Sequence, residues 1–117
     1  MPAFPPQRLQ TEKEFITDAI KGDNSEIALG RLTVATSASD PVKAFGQTLI
    51  DDHSNAKTEV SAVATKVNVS PPGEMSSEAQ TEVTKLKQLS GRDFYTEFAC
   101  YMVEDHQKDI AEFKKRS

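Results

Sequence analysis

The chain has no tryptophan, one cysteine, five glycines, and only six phenylalanines and two tyrosines as aromatic residues. A lone cysteine, Cys100, excludes an internal disulfide. With no second cysteine or cysteine-histidine cluster beside it, it reads as a small buried hydrophobe. No run approaches the roughly 20 apolar residues that a bilayer-spanning helix needs. Cations are in the minority, 14 Lys and Arg against 18 Asp and Glu, giving a net charge of −4. No basic stripe interleaves with aromatics, so nucleic acid is not an expected partner. The terminal Lys114, Lys115 and Arg116 suit the negative end of a helix dipole instead. The sequence also lacks a glycine-rich phosphate loop, a nucleophile elbow and any long period-two alternation. Met1 to Pro6 has neither the basic start nor the apolar run of a secretory leader. What remains is a 117-residue chain, 37% hydrophobic and 27% charged, the balance of a single globular domain.

Helical periodicity fills most of it. Residues 1–10 contain three prolines and no period, and read as a flexible N-terminal arm ahead of a helical-bundle domain over 11–117. Thr11 and Glu14 form a capping box that opens a first helix to about Ala38, with Phe15, Ile16, Ala19, Ile20, Ile27, Leu29, Leu32 and Val34 as its apolar residues. Gly30 marks a candidate close helix-helix contact. Asp40 as N-cap and Pro41 at the first helical position restart the chain. The second helix carries Val42, Phe45, Leu49, Ala56, Val60, Val63 and Val67. Val69 to Gly73, with two prolines, is a break. A short helix then starts at Ser76 or Ser77 and runs to about Leu89, its thin stripe of Val83, Leu86 and Leu89 reading as a connector. The last helix runs from Asp93 to about Lys115 on Phe94, Phe98, Met102, Ile110 and Phe113. The expected architecture is all-α: an antiparallel bundle of three long helices and one short one.

The second and last helices look like copies. Aligned without gaps, Phe45 falls on Phe98, Leu49 on Met102, Ile50 on Val103, Asp52 on Asp105 and His53 on His106. These are the only two histidines. His53 lies between Leu49 and Ala56 on its apolar stripe, and His106 lies four residues from both Met102 and Ile110, so both are expected to face inward.

Phe15 to Ala19, Glu26 to Gly30, Pro41 to Gln47 with Asp51 to His53, and Leu89 to Gly91 with Phe94, Tyr101 to Val103, Asp105 and His106 together resemble a family of exported bacterial ferritin-like proteins. That family is a domain of unknown function whose members are often described as outer-membrane or periplasmic. The resemblance covers nearly all of Phe15 to Lys115. It implies a ferritin-like bundle and a periplasmic or cell-envelope location. Members of the family continue into another long helix carrying a histidine, so this chain is expected to leave one side of the bundle open.

Imidazole and carboxylate on facing helices suit a transition metal. His53, His106 and Glu26 are the candidate ligands, and Asp52 and Asp105 either orient the imidazoles or join the set. Zinc or iron are the cations this donor set fits. The Glu-x-x-His pairs of di-iron bundles are missing, and no activated nucleophile stands beside either histidine, which argues against an oxidase centre and against a hydrolase. The competing reading is a metal-free structural or interaction module. In it the histidines bond to each other, to Glu26, or to Asp and backbone groups. Its open face is covered by a second copy or another partner. A third reading, a bundle that responds to pH through histidine protonation, rests on the same residues.

Overall fold

The computed structural model describes the backbone of residues 6–116 and the side chains of 12–108, 110 and 111. Four helices follow one another: α1 (Pro6–Thr36), α2 (Asp40–Lys66), α3 (Ser77–Leu86) and α4 (Gly91–Arg116). No strand occurs among the described residues, so the all-α expectation holds.

The boundaries show where local signals decide and where they do not. α1 begins at Pro6 rather than at Thr11, and the helix runs straight through the expected capping box. Proline suits a first helical position, where its missing N–H breaks no bond. Of the arm expected over 1–10, residues 1–5 lie outside the described part and 6–10 belong to α1. At α2 the N-cap is Ser39 in extended conformation, one residue before Asp40, so Pro41 falls within the first turn. The end of α2 is closed by Asn68, whose φ of 61° lies in the left-handed region. The Asn68 N–H donates to Thr65 O (3.2 Å) and the Val69 N–H to Ala64 O (2.8 Å), a Schellman closure with asparagine in place of glycine. The Ser76 hydroxyl caps α3 by accepting from the Ala79 N–H at 3.2 Å.

α1 and α2 form a long antiparallel hairpin, and Gly30 and Gly46 are its point of closest approach. A Cβ on Gly30 would lie 2.6 Å from the Gly46 carbonyl oxygen, and one on Gly46 would lie 2.9 Å from that of Gly30. Only residues without a side chain let the two backbones come this near. α3 packs against α1 and, antiparallel, against α4. The core draws Leu29 from α1, Leu49 from α2, Leu86 from α3, and Phe94, Phe98 and Met102 from α4. Phe94 and Phe98 stack at 6.1 Å, and Phe98 meets Phe45 edge-on at 5.9 Å. Each buried phenylalanine contributes about 1.5–3 kcal/mol by leaving water. The phenylalanines aligned in the internal repeat therefore touch, and its Leu49 and Met102 share the core.

Four apolar residues expected inside are largely exposed: Phe15, Phe45, Val63 and Ile110. Spacing places them on apolar arcs that neighbouring helices cover only in part, as where Phe98 meets Phe45. Cys100 is exposed as well, not buried. It stands two residues from both Phe98 and Met102, which turns it to the far side of α4. Phe113 lies outside the described side chains.

Candidate functional site

Four consecutive polar residues of α1 (Asp23, Asn24, Ser25 and Glu26) are all buried. Asp23 and Asn24 share the face of Ile20 and Ile27, both buried, because residues three and four apart lie on one side of a helix. Buried polar groups need partners, and Asp23, Asn24 and Ser25 find them on sequence-distant segments. The Asn24 amide donates to Pro72 O (3.0 Å) and Glu74 O (2.9 Å), fastening the proline-rich connection onto α1. Ser25 Oγ donates to Lys21 O (2.7 Å) and accepts from the Ser76 N–H (3.1 Å). Asp23 accepts from His53 Nδ1–H at 2.9 Å, joining α1 to α2.

Asp23, Ser25 and Glu26 floor a cleft of about 660 Å³. Phe15, Asp18, Asp23 and Glu26 of α1 line it, with His53 of α2, Ser76 to Glu78 at the start of α3, and Tyr101, Asp105 and Lys108 of α4. Lys108 Nζ bonds Glu78 at 2.6 Å across its rim. The cleft is acidic, and Tyr101 registers this. Its phenol is pushed up to about 12, first by burial and then by the negative charges of Asp105, Glu26, Glu78 and Glu82.

The five expected ligands are not gathered in one place. His53, Glu26 and Asp105 line the cleft. Asp52 is exposed on α2. His106 is exposed too, and its Nδ1–H donates to Met102 O of its own helix at 2.9 Å. The two histidines thus match in sequence and differ in setting. His53 faces a buried carboxylate on α1, whereas His106 lies beyond Met102, after which no described side chain of α4 is buried, and it bonds the backbone of its own helix. Among the described residues, no three His, Cys, Asp or Glu side chains converge as a metal ligand set.

Residues that the periodicity did not single out carry much of the geometry. Asp23 and Asn24 stand three and four residues from Ile20, a spacing that could have marked them as inward but not what would meet them. Glu82 of α3 is 7% exposed, between the buried Ala79 and Leu86. It lies beside Glu97 of α4, which bonds Lys85 at 3.1 Å.

Among the described residues no helix is long and apolar enough to cross a membrane. Neither the curated proteins nor the solved structures hold a significant match to this chain. One family profile matches, a domain of unknown function, and it spans residues 2–117. On that coverage the chain belongs to the DUF4142 family of domains of unknown function.

Proposed function

We propose that this chain is a non-enzymatic helical interaction module of the bacterial cell envelope, in which His53 ties α1 to α2 and the outer strip of α4 meets another protein surface. The carrying observation is the row Tyr95, Val103 and Ile110, exposed by 53%, 57% and 56%. Helical spacing sets these three on one strip, beside the core strip of Phe94, Phe98 and Met102. The apolar arc of α4 is thus wider than the part the chain itself covers. Apolar surface gains about 25 cal/mol per Å² on leaving water, so such a strip favours a second apolar surface. The simplest occupant is another copy of the chain, packed strip to strip. The envelope location and ferritin-like kinship rest on the sequence resemblance.

Sedimentation velocity over a hundredfold dilution tests this reading on the wild type and on Val103→Ser/Ile110→Ser. The wild type should gain mass with concentration and the variant should not. A wild type that stays at 12.9 kDa throughout overturns self-association.

A second reading, divalent transition-metal binding, is favoured by one observation: His53, Glu26 and Asp105 line the same cleft. Asp23 would orient the imidazole through Nδ1, as carboxylates do for ligating histidines, leaving Nε2 for zinc or iron. Glu26 and Asp105 would complete the set, and His106 and Asp52 would take no part. This reading requires bound metal that His53→Ala loses and His106→Ala keeps.

A further inference from the structure

Glu82 is the most deeply placed carboxyl of the α3–α4 contact. It is 7% exposed, and its Oε2 is fully buried without a hydrogen-bond partner, beside Glu97 of α4. Two carboxyl groups can share a hydrogen bond only when one of them carries a proton. The charged and titratable groups around it are Lys85 on its own helix and Glu97, Glu104 and Tyr101 on α4. On α1, the other helix packed against α3, Glu26 reaches the shared neighbour Tyr101. Lys85 is the one cation in this set, and it is engaged by Glu97 at 3.1 Å. Lys85 also favours the charged form of Glu82, but burial and Glu97 outweigh it.

We propose that Glu82 is a proton-operated latch between α3 and α4. Protonated, its carboxyl sits neutral in the interface and donates to Glu97. Deprotonated, it sets a second negative charge beside Glu97 in a buried place, and the α3–α4 contact loosens. Burial, and then the bond to and charge of Glu97, push Glu82 up to about 7, while Glu97 is held below its ordinary value by the same bond and by Lys85. The sign follows from linkage: a raised carboxyl binds its proton more tightly in the folded state. Its contribution is fully favourable below the ordinary value of 4.5, is lost as pH rises from there to about 7, and is absent above. Glu97 works oppositely and protects the fold above the ordinary carboxylate range.

The test compares thermal midpoints of the wild type and Glu82→Gln at pH 5.5 and pH 8. Glutamine keeps the shape and stays neutral. The wild-type Tm should fall by roughly 5–10 °C between the two pH values, and that of Glu82→Gln should change much less. Equal wild-type midpoints, or an equal fall in the variant, overturn the latch. Should the variant fail to fold, the carboxyl ¹³C titration of Glu82 in the wild type decides. A midpoint near 7 supports the latch, and one below 5 overturns it.

Discussion

Two glycines of α1 make a matched pair of probes. Both sit inside a helix, where replacing glycine by alanine normally stabilises by about 0.5–1 kcal/mol. A Cβ at Gly22 would meet nothing within 4 Å, so Gly22→Ala should show that full gain. At Gly30 the same atom would lie 2.6 Å from the Gly46 carbonyl oxygen, 3.0 Å from Ile50 Cγ1 and 3.2 Å from Leu49 Cβ. The first of these is backbone and cannot rotate away, so the α1–α2 hairpin must open by several tenths of an ångström. Overpacking of this kind costs about 1–3 kcal/mol, enough to reverse the propensity gain. Urea unfolding followed by circular dichroism should place Gly22→Ala above the wild type and Gly30→Ala about 1–2 kcal/mol below it. Gly46→Ala should lose a similar amount. The double variant Gly30→Ala/Gly46→Ala should lose less than the two combined, since one displacement relieves both. A Gly30→Ala protein as stable as Gly22→Ala would refute the close crossing.

Other consequences are as direct. Asn24→Ala removes both hydrogen bonds to the proline-rich connection, at Pro72 O and Glu74 O, and should destabilise by about 1–3 kcal/mol in the same assay. Phenolate absorbance on raising the pH should show a component with a midpoint near 12 that Tyr101→Phe deletes. Loss of that component in Tyr95→Phe instead would contradict the placement of Tyr101. Cys100 should react fully with a thiol reagent under native conditions, and protection until unfolding would show that α4 turns a different side to solvent.

The elements were readable where their cause is local. Pro41 marks a helix start by its own geometry, the Pro71-Pro72-Gly73 break falls in the connection between α2 and α3, and Ser76 caps α3 as its type and place demand. Gly30 pointed to the helix crossing. The repeat pointed to Phe45 and Phe98 as equivalents, and they meet. Spacing did not say which apolar arcs would find a neighbour, so Phe15, Phe45, Val63 and Ile110 were expected inside. The polar network was hidden for the same reason. Asp23 and Asn24 are buried because His53 and the 72–74 backbone arrive opposite them, and no local pattern in α1 encodes those arrivals. Glu82 shows the limit most plainly. A stripe built on Val83, Leu86 and Leu89 left it outside, whereas packing turns Ala79, Glu82 and Leu86 inward. His53 and His106 looked alike because each sits on its own helix in the same way. Their difference lies in what faces them.

In the function proposed above, His53 ties α1 to α2 through its Nδ1 bond to Asp23 and holds no metal. The most direct test of this role is the metal content of protein purified without chelator or affinity-tag metal and then incubated with zinc and iron, for the wild type, His53→Ala and His106→Ala. No stoichiometric metal is expected in any of the three, with His53→Ala less stable than His106→Ala. Near-stoichiometric metal in the wild type, lost on changing His53, would contradict that role and make the acidic cleft a metal site.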